Sequence, residues 1–211
     1  VAHWLVPAGL VVAETLPRDA RVDVELVAHG ADVRFLSALP RSLSRRLLER
    51  ITLRVSRVRA VSDSLAARLV ALAPSVAAKL VVAPMPLATD DDEVCRRARA
   101  AATQLAGGAR PLHVVASRLT VDKRVERAID HVAARGGRLV VVGDGPRHAA
   151  LIERARRRGI EARFVGARPH EETLAWIAAA DVVLAPLARD EGAPTVAREA
   201  EALGRPVVCF A

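Results

Sequence analysis

Asp181-Val182-Val183-Leu184-Ala185-Pro186-Leu187, then Asp190-Glu191-Gly192-Ala193-Pro194-Thr195-Val196-Ala197-Arg198-Glu199-Ala200, then Leu203-Gly204-Arg205-Pro206-Val207-Val208 read as strand, loop, helix, turn and strand. The apolar runs do not alternate with polar residues, which marks strands covered on both faces. Pro194 suits a first helical position, where its missing N–H would be unpaired anyway. A helix starting there aims free N–H groups and a positive dipole end at the loop. That end suits a phosphate or a sugar hydroxyl. Glu191 falls at the mouth of the loop and Glu199 one to two turns into the helix. Carboxylates accept hydrogen bonds from hydroxyls while amides take phosphate, so the pattern fits a phosphorylated polyol.

The same rhythm extends back through the second half. Strands are expected at Leu112–Ala116, Arg138–Gly143 and Ala162–Gly166. Helices are expected at Lys123–Ala134, Pro146–Arg158 and Glu171–Ala180, with Trp176 as core. The first half gives strands at Val22–Ala28, Arg59–Ser62 and Lys79–Ala83. Its helices are Leu39–Val58, on Leu43, Leu47, Leu48, Ile51 and Val55 at spacings of three and four, and Ser64–Leu72 capped by Ser62 or Asp63. Asp90-Asp91-Asp92-Glu93 opens a polar helix and Gly107-Gly108 breaks the chain, so 87–109 is read as a linker. The predicted organisation is α/β: residues 1–86 as one Rossmann-like domain, 110–211 as a second, and a ligand cleft between them at the C-terminal ends of the strands.

The chain has 211 residues, 52% hydrophobic and 27% charged, with five aromatics, so its core is aliphatic. No apolar run reaches the ~18 residues of a membrane span, and no secretory leader is visible. Cys95 and Cys209 lie far apart without Cys or His neighbours, which fits neither a zinc site nor a disulfide framework. A cytoplasmic location is expected. The net charge is +8, and seven arginines fall between Arg41 and Arg59 against Glu49 alone. A solvated helix face is the preferred reading, with peripheral contact between 41–59 and an anionic inner membrane face as the alternative. Nucleic acid is not expected as a partner, because no aromatics interleave with the cations.

In order along the chain come His-Trp with Pro and Gly (from His3), His-Gly-x-Asp (His29 to Asp32), Val-Ser, and Arg118-Leu followed by Lys123. Val-Gly-Asp-Gly-Pro (Val142 to Pro146), Phe-x-Gly (Phe164 to Gly166) and Glu191, separated by seven residues from Glu199, follow. This ordered set resembles the retaining nucleotide-sugar glycosyltransferases of family 4, which have the GT-B fold. The resemblance runs over nearly the whole chain and implies a chain truncated at both ends, since the family's first strand, its glycine-rich loop and its final helices have no counterpart. Ser117 stands where the family has Gly, and Pro84-Met85-Pro86-Leu87 replaces its usual turn.

The resemblance implies transfer of a sugar from a nucleoside diphosphate to an acceptor hydroxyl with its anomeric configuration kept. The acceptor would be a surface polysaccharide, a glycolipid or a small glycoside. Arg118 and Lys123 would hold the donor diphosphate, Glu191 the donor sugar and Glu199 the ribose hydroxyls. Gly192, Ala193, Pro194 and Thr195 would offer backbone N–H groups. Gly143, Gly145, Val165 and Gly166 complete the donor side, and Arg168 either touches the base or nothing. His29 is expected near the reacting sugar and His3 on the acceptor side, while Asp32 caps a helix or meets substrate. His113, His131, His148 and His170 are expected to lie apart from the site. No metal or other cofactor is expected, Asp90-Asp91-Asp92 being read as solvated. The alternative is a non-catalytic or degenerate nucleotide-sugar-binding relative.

Overall fold

The computed structural model describes residues 1–17, 22–105, 107–108, 111–186 and 194–210. Two units divide the chain, Val1–Met85 and Pro86–Ala211. In the first, strands β1 (Ala2–His3), β2 (Glu25–Ala28), β3 (Arg57–Ala60) and β4 (Leu80–Val82) pair in parallel in that order. Helices α1 (Leu10–Thr15), α2 (Gly30–Ala38), α3 (Arg41–Thr52) and α4 (Asp63–Leu72) cover them. Leu26 and Val58 from the sheet meet Leu36, Leu48, Ile51 and Leu69 from the helices in one buried cluster. Each such side chain contributes roughly 1.5–3 kcal/mol by leaving water.

Helix α3 is shorter than the expected Leu39–Val58. A residue before proline avoids the helical region, and Leu39, before Pro40, is extended at φ −80°, ψ 160°. At the other end the N–H groups of Ser56 and Arg57 donate to Val24 O at 2.9 and 3.3 Å, which turns the chain into the sheet. Ser62 caps α4, accepting from Leu65 N at 3.4 Å. Five of the seven clustered arginines have partners within the unit. Arg41 donates to Ala71 O, Arg45 pairs with Glu49, Arg50 with Glu14 and Arg59 with Glu25, and Arg54 donates to Leu16 O. Much of this charge therefore ties α3 and β3 to neighbouring segments.

The second unit begins with α5 (Asp92–Ala102), inside the stretch expected as a linker. Cys95, Ala98 and Ala102 are buried on one face of it, in the cluster that holds Leu174 and Ile177. The small apolar stripe is outnumbered by Asp, Glu and Arg on the outer face, which is why 87–109 reads as polar while it supplies part of a core. Asp91 caps α5 by accepting from Glu93 N at 2.8 Å.

Then β5 (Leu112–Ala116), α6 (Glu126–Arg135), β6 (Arg138–Val142), α7 (His148–Arg157), β7 (Glu161–Gly166), α8 (His170–Ala179), β8 (Val182–Pro186), α9 (Thr195–Ala202) and β9 (Val207–Phe210) alternate as expected. The parallel sheet has the order β7-β6-β5-β8-β9. The chain builds outward from β5 in one direction, then returns to its other side at β8. Connections on the two sides of such a reversal diverge and leave a crevice beyond the strand ends. Helix α8 is apolar nearly all round and buried from Leu174 to Ala179. Trp176 is in the core as expected, with the Arg163 guanidinium 5.7 Å from its ring.

Candidate functional site

The loop after β6 fixes the shape of the crevice. Gly143 has φ 132°, and a Cβ there would stand 1.9 Å from Ser117 O. At Gly145 it would stand 2.6 Å from Leu119 O. Only glycine lets this loop lie directly on the loop after β5. The contact is closed by Ser117 N donating to Val142 O at 3.0 Å, Leu119 N to Asp144 O at 2.9 Å and Gly143 N to Gly166 O at 2.9 Å. The result presents Ser117 and Arg118 at the strand ends. The two glycines thus act through backbone packing that positions a neighbouring loop.

A cavity of about 470 Å³ lies there, lined by Ser117, Arg118, Gly143, Asp144, Ala167, Arg168, His170, Thr195, Val196 and Glu199, among others. A second cavity of about 170 Å³ shares Ala116, Ser117, Thr195 and Val196 with it and adds Lys123, Pro186 and Pro194. Together they form one crevice over the ends of β5, β6 and β8 and the start of α9. The structure thus brings Arg118, Lys123, Gly143, Pro194, Thr195 and Glu199 to one place. Val165 does not line it; this side chain packs against the core instead. Gly166 contributes its carbonyl to Gly143, and the next two residues, Ala167 and Arg168, form the wall. Glu191, Gly192 and Ala193 lie outside the described residues. A separate groove of about 340 Å³ runs between α5 and α8, with Arg97 and Glu171 paired at 3.2 Å among its lining residues.

Two local details differ from expectation. Lys123 does not open a helix: Arg124 takes the left-handed φ of 47°, and α6 starts at Glu126. This break leaves Lys123 in a turn against the crevice. Pro194 is the residue before α9, with φ −66° and ψ 146°, and its carbonyl accepts from Ala197 N at 2.9 Å. The first N–H groups of a helix have no acceptor within it, so those of Thr195 and Val196 begin the donor end. The Thr120 hydroxyl beside Asp122, with Lys123 and Arg118 adding positive potential, holds the Asp122 carboxyl below its usual range.

His170 is the residue that sequence reading misses. It is expected apart from any site, yet it lines the crevice, and its Nε2 donates to Glu199 Oε1 at 2.8 Å. Glu199 itself is buried and Glu201 is exposed, as expected. The contact spans 29 residues, and no local pattern announces it. His113, also expected apart, is buried at the start of β5.

In the first unit, His3 Nδ1 and His29 Nε2 are 3.2 Å apart, and the Trp4 ring lies 4.8 Å from that of His29. Buried Asp32 accepts from Leu5 N at 2.7 Å, His29 N at 2.9 Å and Val33 N at 2.8 Å. It therefore ties the segment after β1 to His29 at the start of α2, which answers the open reading of Asp32 in favour of a helix-start acceptor. Burial pushes the Asp32 carboxyl up, while those three N–H groups pull it back. Burial lowers the His29 imidazole, opposed by Asp32 and aided by His3.

Residues 110–211 match the family model described as "Glycosyl transferases group 1". No curated protein matches the chain in sequence. Among solved structures, sucrose-phosphate synthase from Thermosynechococcus elongatus superposes with a TM-score of 0.73 at 21% identity, covering 98% of this chain and 54% of that one. HepE of Anabaena in complex with UDP gives 0.70 at 21% identity, covering 88% and 53%. HepE is also known with UDP-glucose. AviGT4, a glycosyltransferase involved in avilamycin A biosynthesis, gives 0.53 at 25% identity, covering 72% and 44%. The chain spans about half the length of the first two. Its fold is mixed α/β with parallel sheets, similar to that of GT-B glycosyltransferases. Among the described residues no helix is long and apolar enough to cross a membrane.

Proposed function

We propose that the protein is a retaining glycosyltransferase of family 4, which moves a hexosyl group from a nucleoside-diphosphate sugar to a hydroxyl of a polysaccharide, glycolipid or small glycoside. The observation that carries this reading is the convergence of two cations, a helix start and a buried carboxylate on one strand-end crevice. The match of 110–211 to a glycosyltransferase model supports it. So does the fold shared with HepE, which binds UDP-glucose.

The chemistry fits the residues. The bond between the anomeric carbon and the diphosphate oxygen breaks, the acceptor oxygen bonds to that carbon, and the acceptor proton leaves with the diphosphate. Charge accumulates on the leaving group. Arg118 as a planar fork, Lys123 as a point charge and the N–H groups of Thr195 and Val196 stabilise it as it grows. These groups supply the positive charge in this proposal, so it assigns no metal. Glu199 accepts from the ribose hydroxyls, Glu191 serves the donor sugar, His29 stands where the acceptor meets the reacting sugar, and His3 serves the acceptor side. We place the reaction in the cytoplasm, with residues 41–59 as a solvated helix face and contact with an anionic inner leaflet as the alternative reading. Sedimentation with anionic liposomes at low salt tests that contact, and absence of pelleting contradicts it.

The experiment for the reaction is NMR of the glycoside formed from UDP-, GDP- and ADP-hexoses of known α configuration. An α-linked product supports retention. A β-linked product contradicts it, and nucleotide binding without transfer favours the degenerate relative.

A further inference from the structure

Glu199 carries a carboxylate whose side chain is only 7% exposed. A charge so placed needs a partner, because an unpaired buried carboxylate is costly. Its flanking buried residues on α9, Ala197 and Ala200, offer no side-chain donor. Among the described residues the side chain bonded to it is His170 alone. A carboxylate only accepts, so Nε2 carries the proton and donates to Oε1 across 2.8 Å.

His170 is well placed to hold a geometry. It is the first residue of α8, and Leu174 to Ala179 of that helix are buried. The imidazole is half exposed on the crevice side, at 52%, while its backbone belongs to one of the most buried helices of the unit. One donor from a rigid helix fixes the rotation of the Glu199 carboxylate. Such a group has about four acceptor positions, and His170 occupies one. The others remain for hydroxyls that enter the crevice.

We propose that His170 is a positioning residue that orients Glu199 to read the ribose diol of the nucleotide, making the crevice selective for ribonucleoside diphosphates. This rests on the donor-site reading above. It assigns His170 no contact with the sugar being transferred and no proton transfer.

The test is calorimetric titration of the full chain with UDP, GDP and ADP and with the 2′,3′-dideoxy form of each. The variants are His170→Ala and His170→Gln, whose amide nitrogen reaches about as far as Nε2. The wild-type chain is expected to prefer the ribose form of its nucleotide by about tenfold or more, the scale of a hydrogen bond to a charged group. His170→Ala should lose most of that preference with its affinity for the dideoxy form unchanged, and His170→Gln should keep it. Undiminished preference in His170→Ala overturns the proposal. Equal loss of affinity for both forms also overturns it, because that is the signature of a merely structural residue. If the wild-type chain binds none of the six nucleotides, the donor-site reading itself falls, an outcome distinct from both.

Discussion

The two units end their strands differently. In the second, the order β7-β6-β5-β8-β9 reverses beside β5, and the loops after β5 and β6, the end of β8 and the start of α9 surround a crevice. In the first, β1-β2-β3-β4 run in simple succession, and β1 and β2 lead into a surface group of His3, Trp4 and His29. Topology thus creates concavity in one sheet, and backbone contacts around Asp32 organise a surface in the other. A concave site with fixed donors suits a ligand that is the same in every turnover, such as a diphosphate. An exposed imidazole and indole surface suits a partner that varies, as an acceptor does.

Glycine gives the sharpest way to break this contrast. Gly143→Val places side-chain atoms inside the space of Ser117 O. It should cost more than about 3 kcal/mol in urea unfolding followed by Trp176 fluorescence, since a residue incompatible with both φ and packing strains the loop. Gly30→Ala, at the start of α2, meets nothing closer than Arg34 Nη1 at 3.8 Å and should change stability by less than about 1 kcal/mol. Equal effects at the two positions would mean that the close packing after β6 is not what shapes the crevice.

Side chains come next in size. Glu199→Ala should weaken nucleotide binding by about tenfold to a hundredfold, as expected for lost hydrogen bonds to a charged group. Arg118→Ala should weaken it by about tenfold, and more at low salt than at high. His3→Ala and His29→Ala should leave nucleotide affinity unchanged and raise the KM for acceptor. A fall in nucleotide affinity in either histidine variant would erase the division of labour between the units.

The smallest effect is that of pH. Burial lowers the imidazoles of His29, His113 and His131, and Arg135 adds to the lowering at the last two. The unfolded chain therefore takes up these protons first, near pH 6.5. Stability is full above that value and falls as pH drops below it. Urea midpoints should be lower at pH 5.5 than at pH 7.5, and His113→Asn should lessen the difference for the second unit. A rise on acidification contradicts the assignment.

The alternation of the second half was legible because β6, β8 and β9 are nearly continuous apolar runs with glycine or proline close by, as strands of a covered parallel sheet are, while β5 and β7 carry one interior polar residue each, His113 and Arg163. Gly143 stands immediately after β6 and Arg118 two residues after the end of β5, so both were legible as strand-end residues. Helix α5 was harder to read, because Cys95, Ala98 and Ala102 bury little area each and charge dominates any hydropathy count around them. The true start of α6 depends on Arg124 adopting a left-handed conformation, which no residue type near it demands. His170 was invisible for a topological reason. It meets Glu199 only because α8 and α9 pack beside one another, and a sequence states no such adjacency.

We propose that the second unit's crevice holds a nucleoside diphosphate. Calorimetry with UDP, GDP and ADP, on the wild-type chain and on Glu199→Ala and Lys123→Ala, tests it most directly. The wild-type chain should bind one nucleotide selectively, and both variants should bind it more weakly. Binding that neither substitution alters, or no binding of any nucleotide, would contradict it.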